Sequence, residues 1–175
     1  MSTPVTLLTV VVTPELMPDV LESVDDALEL TKAGYDRSEY LFAMSKGGWM
    51  LGAVQRLSSI LSVGGLEFIG WDPAPVAEGE WRAFLFKGDD IERIRASVRA
   101  LLERVESRPG DVAEAIDLTS ASEVVDALRQ AVPSVNPRAD DGYGAEYVFA
   151  YLKSLESTCS TALAAGCGLV HLQSN

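Results

Sequence analysis

The sequence predicts an α/β or α+β protein in which a mixed sheet of about four to five strands is flanked by four or so helices. Three observations lead there: β-branched apolar runs, longer segments with apolar residues three and four positions apart, and turns rich in Gly and Pro between them. The 175 residues are 47% hydrophobic and 23% charged, as in a globular protein. At this length one core is expected, so residues 1–175 are predicted to form a single domain.

A strand and a helix are predicted first. Val5 to Thr13 is β-branched and almost continuously apolar, which predicts a central strand buried on both faces. In residues 14–34 two prolines come early, acids follow throughout, a lysine comes late and a glycine closes the segment, which is the order that a helix dipole favours. The buried stripe of this helix is predicted to contain Leu21, Val24, Leu28 and either Leu30 or Thr31.

The next two segments each leave an alternative open. Residues 39–45 mix aromatic residues with Ala and Met, so strand and helix compete there, and we favour a strand. Residues 49–63 place apolar side chains at helical spacing, which predicts a helix. The alternative is a hairpin with Lys46-Gly47-Gly48 as its turn, because Gly-Gly is a recognised hairpin signal.

Two further strands and a long helix are predicted in the middle of the chain. Residues 64–72 and 81–87 resemble strands and are expected to pair antiparallel across a loop rich in Pro and Gly. A helix then begins at residues 88–90, with Asp89 or Asp90 as its cap, and ends at the Arg-Pro-Gly of residues 108–110.

The C-terminal part of the chain is predicted to contain two helices and a strand. Ser120 and Glu123 have the spacing of a capping box, so a helix is expected to run from there to Pro133. A turn-rich loop covers residues 133–144. A helix over 145–165 is then stopped by Gly166, and residues 167–173 form the last strand.

The charge balance limits the classes of partner. The net charge is -12 and the isoelectric point is near 4.4. Phosphate backbones and anionic lipids repel such a chain, so neither nucleic acid nor a membrane is expected as a partner, and cationic proteins are favoured. No basic segment or cleavage site marks an export signal, so we expect a cytoplasmic protein in which Cys159 and Cys167 stay reduced and buried.

The motifs of common catalytic sites are missing. Lys46 precedes both of its neighbouring glycines, whereas a phosphate-binding loop needs the lysine after them, and no dinucleotide fingerprint occurs. His171 is the single histidine, and the two cysteines have no Cys-x-x-Cys spacing, so a zinc site is not predicted. We therefore predict no catalytic residue, metal or cofactor, and interpret His171 as a core residue.

Acidic side chains are the candidate binding residues. Between residues 14 and 31 the chain carries six acids and no Lys or Arg, so the first helix is expected to project an unneutralised face. In the late loop, acids stand beside a tyrosine, and loops often carry function. The predicted partner-binding residues are Glu22, Asp25, Asp26, Glu29, Asp140, Asp141, Tyr143 and Glu146. By contrast, the arginines between residues 82 and 108 are interleaved with acids, which predicts a solvated helix face with local ion pairs.

Residues 146–173, EYVFAYLKSLESTCSTALAAGCGLVHLQ, form an aromatic-rich helix, a glycine and a closing strand. This stretch resembles the ends of small acidic bacterial immunity proteins, and also those of YfbM-like proteins of unknown function. The first resemblance implies a cytosolic α/β or α+β domain that binds and blocks a cognate toxin. It implies no catalytic residue.

Charge and resemblance together favour a cytosolic immunity or inhibitor protein that binds a basic toxin. The alternative is a small hydrolase or transferase with a site based on a carboxylate or on His171, which would require a deep pocket with perturbed pKa values. A third hypothesis is a subunit of a larger assembly, in which Trp71, Trp81 and Phe86 would form an exposed apolar patch.

Overall fold

The computed structural model describes residues 5–35, 40–45, 48–69, 81–133, 138–139 and 144–174. Its sheet has the strand order β3-β5-β1-β2-β4. The first four of these strands pair antiparallel, and the two-residue β4 joins the edge parallel to β2. The strands are β1 (Val5–Val12), β2 (Tyr40–Ser45), β3 (Trp81–Phe86), β4 (Arg138–Ala139) and β5 (Gly168–Ser174).

Six α-helices occur in the described residues, against the four or so predicted, and together with the sheet they confirm the predicted mixed fold class. They are α1 (Val24–Tyr35), α2 (Trp49–Ile60), α3 (Gly88–Ser107), α4 (Pro109–Val112), α5 (Ala121–Gln130) and α6 (Ala145–Ala165). Short 3-10 turns occur at Pro14–Leu16, Glu67–Ile69 and Glu114–Ile116.

The central position predicted for β1 is confirmed, because β5 and β2 flank it. Successive side chains of a strand point to opposite faces of the sheet, so β1 contributes to two cores. Leu7 and Val11 pack into the larger core beneath α2, α3, α5 and α6. Leu8 and Val12 pack into the smaller core, which α1 covers. Helices therefore shield both faces, and β1 is apolar along nearly all of its length for this reason.

The predicted start of the first helix is wrong by about ten residues, a larger error than the usual boundary uncertainty. Met17 is extended, with φ -68° and ψ 117°, because the residue before a proline is disfavoured in helical geometry. The helix begins only at Val24, where the Ser23 hydroxyl accepts a hydrogen bond from the backbone N–H of Asp26 at 3.1 Å. This is the contact that an N-cap makes.

The predicted buried stripe of this helix is also partly wrong. Leu28 is 39% exposed, whereas Ala27 is fully buried. Ala27 and Thr31 are one turn apart and face the smaller core, where the Thr31 hydroxyl donates to the carbonyl of Ala27 at 2.7 Å. Small side chains at these positions let α1 lie close to the sheet, and Leu28 is turned to solvent.

Residues 64–69 are not the predicted strand, and β3 pairs with β5 instead of with them. Phe68 and Ile69 are buried by the 3-10 turn, which points both side chains into the protein. Gly65 has φ +92°, and a Cβ there would lie 2.4 Å from the Ser97 hydroxyl of α3. The left-handed backbone conformation favours glycine at this position, and any Cβ would also displace the Ser97 side chain.

Helix α2 confirms the helical prediction and excludes the hairpin. Gly48 is its N-cap, with φ +68°, and Met50, Val54 and Leu57 are buried as their spacing predicts. Lys46 and Gly47 lie outside the described residues.

At the start of α3 the prediction of an aspartate cap is wrong. Lys87 occupies the N-cap, and Asp89 and Asp90 lie in the first turn, where the helix dipole favours acids. Downstream of α3, the capping box of Ser120 and Glu123 and the left-handed Gly166 that ends α6 are both confirmed.

Candidate functional site

The outer surface of α1 and the segment before it carry several exposed carboxylates. Glu22, Asp25, Asp26 and Glu29 are all exposed. Within the described ranges, none of these four forms a salt bridge with a basic side chain. This part of the surface therefore presents uncompensated negative charge, as the sequence predicts.

The acids of α3 are in a different situation. Asp90 pairs with Arg93, and Glu92 pairs with Arg95 at 2.7 Å, both at i,i+3 spacing. Arg99 of α3 also reaches Glu156 of α6, at 2.6 Å. The predicted local pairing on this helix is confirmed, and these acids contribute less net field than those of α1.

A groove runs between α1 and the segment that precedes it, and we call it the α1 groove. It is lined by Pro18, Asp19, Val20, Glu22, Asp26, Glu29 and Leu30, and has a volume of ≈ 550 Å³. Three of the predicted binding residues, Glu22, Asp26 and Glu29, are thus brought together. Asp25 is exposed but does not line the groove.

Sequence reasoning missed Asp19, Val20 and Leu30 as members of this site. This segment was predicted to be helical. In a helix, Val20 and Glu22 would point in nearly opposite directions and could not line the same groove. Leu21 instead anchors a non-helical segment by its burial in the smaller core. The prolines at 14 and 18 were the available signal for this geometry.

Glu146 is the member of the second predicted patch that the structure describes. Asp140, Asp141 and Tyr143 lie outside the described residues. Glu146 is exposed in the first turn of α6. Helix α6 packs into the larger core and α1 into the smaller one, so the sheet lies between Glu146 and the α1 groove. The structure therefore does not bring Glu146 together with the acids of the α1 groove.

His171 lies in the core, as predicted. It is fully buried, and its Nδ1 is hydrogen-bonded to the Thr9 hydroxyl at 2.8 Å. The Phe68 ring stands nearly perpendicular to the imidazole, with centroids 5.0 Å apart. Burial, and secondarily the charge of Arg82, lowers the pKa of His171 to about 3. The imidazole is therefore neutral at physiological pH.

His171 belongs to a row of buried polar side chains that sequence reasoning missed. Thr9, Arg82 and Gln173 are buried with it on the face of the sheet that supports the larger core. Strand register places Thr9 opposite His171 and Arg82 opposite Gln173. The Arg82 guanidinium carbon lies 5.7 Å from the centroid of the Phe84 ring. The signal in the sequence was the alternation of polar and apolar residues along β5.

Both cysteines are buried thiols that form no disulfide with each other, as predicted. Burial raises the pKa of the Cys159 thiol to about 12, so it remains protonated and is a poor nucleophile. Nowhere in the described ranges do three or more His, Cys, Asp or Glu side chains form a group that could hold a metal ion.

The apolar patch of the assembly hypothesis does not form as expected. Trp81 and Phe86 are partly buried and pack against different cores, because they lie on opposite faces of β3. Trp71 lies outside the described residues. Phe86 instead borders a groove of ≈ 600 Å³ between the sheet edge and α3, together with Phe68 and Phe84.

None of the helices in the described part of the chain is long and apolar enough to cross a membrane. Compared with known proteins, the chain matches no protein-family model, no curated protein and no solved structure.

Proposed function

We propose that this chain is a cytoplasmic acidic binding protein, an immunity or inhibitor protein that neutralises a cognate cationic bacterial toxin by direct contact. One observation carries the proposal: Glu22, Asp25, Asp26 and Glu29 are exposed and form no salt bridge within the described residues, whereas Asp90 and Glu92 at the start of α3 are paired with arginines. Four uncompensated carboxylates therefore lie close together on and beside α1, where they form a local negative surface.

Exposed charge of this kind acts mainly on the rate at which two proteins associate. A negative surface attracts a cationic partner before contact, raises the association rate and disfavours partners of the wrong sign. Many toxins that act on nucleic acid are basic, since they must bind phosphate, so an acidic blocker is complementary to them. The resemblance of residues 146–173 to immunity proteins supports the same function.

The alternative of a hydrolase or transferase receives less support. The groups whose pKa values are strongly shifted are His171, Cys159 and Tyr151, and in each the main cause is burial that favours the neutral form. None of the three lines the α1 groove. Such shifts are typical of core packing and give neither a nucleophile nor an exposed base.

Binding to the product of the neighbouring gene tests the proposal. The affinity should fall steeply with salt, because exposed charges are screened within about 10 Å at 0.1 M salt. Glu22→Lys combined with Glu29→Lys should weaken binding by about ten-fold or more.

The matched control is Glu103→Lys combined with Glu106→Lys on α3, which changes the net charge by the same amount at exposed positions. Equal losses for the two pairs would show that only total charge matters and would remove α1 as the site. No binding by the unmodified protein would contradict the proposed function itself.

A further inference from the structure

The α1 groove contains apolar surface as well as carboxylates. Val20 is 66% exposed within it and is followed directly by Leu21, which is 2% exposed. Pro18 and Leu30 also line the groove, and Leu30 packs partly against the smaller core. An apolar side chain held open in a concave surface contributes to binding when a partner covers it.

The position of Val20 is set by the fold. Pro18 keeps the preceding residue extended, and the buried Leu21 fixes the segment against the sheet. Val20 is thereby held beside α1, opposite the face that Leu21 buries. Because valine has a single, β-branched side-chain torsion, covering it costs little conformational entropy.

The charges around this apolar surface select the occupant. Four carboxylates line the groove, from Asp19, Glu22, Asp26 and Glu29. Of these, Asp19 has a basic neighbour, since Nζ of Lys87 lies 3.9 Å from its carboxylate and donates to its backbone carbonyl at 3.1 Å. A second copy of this chain would bring like charges together, whereas a cationic segment would neutralise them.

We propose that the α1 groove seats one apolar side chain of a cationic protein segment beside Val20 and Leu30. Lys or Arg side chains next to that apolar anchor pair with Glu22, Asp26 and Glu29. This inference rests on the proposed function and specifies the chemistry of the partner's contact segment: a central apolar residue with basic residues on both sides.

The two kinds of contact have different kinetic effects. Long-range attraction by the carboxylates raises the association rate and depends on salt. Burial of the apolar anchor requires no charge, so it mainly slows dissociation and responds weakly to salt. A substitution at Val20 should therefore change the dissociation rate, and reversal of Glu22 and Glu29 should change the association rate.

Two synthetic peptides of equal charge test the inference on the full chain. In one, lysines flank a single central leucine, and in the other, a serine replaces the leucine. The leucine peptide should bind about ten-fold more tightly, and the amide resonances of the groove residues should shift on binding.

Val20→Ser should remove about this ten-fold difference without a change in charge. Val132→Ser is the matched control, because Val132 is 69% exposed and lies outside the α1 groove. The control should leave the affinity unchanged. Both positions are on the surface, so both variants are expected to unfold at the same temperature as the unmodified chain.

Three outcomes would overturn the inference. Equal affinities for the two peptides, or equal effects of Val20→Ser and Val132→Ser, would show that the groove binds by charge alone. Self-association in light scattering that Val20→Ser abolishes would assign the apolar surface to a second copy. The proposed function would survive these results if the product of the neighbouring gene still bound and still depended on Glu22 and Glu29.

Discussion

The Thr9 hydroxyl and Nδ1 of His171 form a 2.8 Å hydrogen bond between two central strands, at positions that face each other across β1 and β5. Both residues are buried. Nε2 of His171 has no hydrogen-bond partner in the described part of the chain, and the Phe68 ring lies beside the imidazole. The hydroxyl is therefore the polar contact that makes a buried imidazole tolerable at this position.

Replacement of Thr9 by Val should destabilise the protein by about 1–3 kcal/mol, because Nδ1 of His171 is left buried without its partner. Urea denaturation measures the loss. Thr31→Val is the matched control: Thr31 is also buried, but its hydroxyl donates to a carbonyl within α1 that the helix already satisfies. If Thr31→Val lowered the unfolding free energy as much as Thr9→Val, the hydrogen bond between Thr9 and His171 would not be the cause of the loss.

Acidification should destabilise the protein through His171. In the unfolded chain its pKa is 6.5, and burial lowers the pKa in the folded state to about 3. The stability contributed by the neutral imidazole is therefore complete above pH 6.5 and is lost progressively as the pH falls toward 3.

His171→Gln should flatten the dependence of the unfolding free energy on pH between about pH 6.5 and 4.5, by up to about 1.4 kcal/mol per pH unit. Urea denaturation across this range measures it. The imidazole resonances of the unmodified folded protein should not titrate in the same interval. A titration midpoint near 6 would show that the imidazole is solvated, contrary to the structure.

Removal of the cap of α5 should cost about 1 kcal/mol. The Ser120 hydroxyl accepts from the Glu123 backbone N–H at 3.3 Å, and the Glu123 carboxylate accepts from the backbone N–H groups of Thr119 and Ser120. Ser120→Ala removes the first contact and is measured by thermal or urea unfolding. Ser120→Asp retains an acceptor and should therefore be more stable than Ser120→Ala. Equal stability of the two variants would contradict the contribution of the cap.

The two thiols should react with iodoacetamide at different rates. The pKa of Cys159 is raised to about 12 by burial, and its side chain is fully buried in the larger core. Cys167 lines an open groove with Met17 and Lys87. Mass spectrometry should find Cys167 alkylated first and Cys159 modified only when urea unfolds the chain. Modification of Cys159 in the native protein at the rate of Cys167 would contradict this packing.

Elements with a strong local signal were predicted correctly. The apolar run of β1, the periodicity of α2 and α3, the capping box of α5 and the glycine after α6 each depend on residues within a few positions of one another. The predicted strand at 64–72 was wrong for the part that the structure describes, because burial of Phe68 and Ile69 beneath the helices favoured a 3-10 turn over pairing with β3.

The candidate site was only partly predictable. Glu22, Asp26 and Glu29 could be found from the sequence, because residues 14–31 contain acids and no Lys or Arg. The contribution of Val20 was not predictable from charge, and an assumed helix placed it wrongly. The pairing of Asp90 and Glu92 with arginines, in contrast to the α1 acids, also required coordinates, because pairing depends on side-chain distance.

By itself, the sequence determined the fold class, most of the helices, the buried state of both thiols and the acidic character of the first helix, because periodicity, capping and charge are local properties. Only the tertiary structure decided which strands pair, which polar side chains meet in the core and which acids share a groove with Val20. These depend on contacts between residues far apart in the chain, such as Thr9 and His171, whose free energy is gained only when the whole sheet has formed.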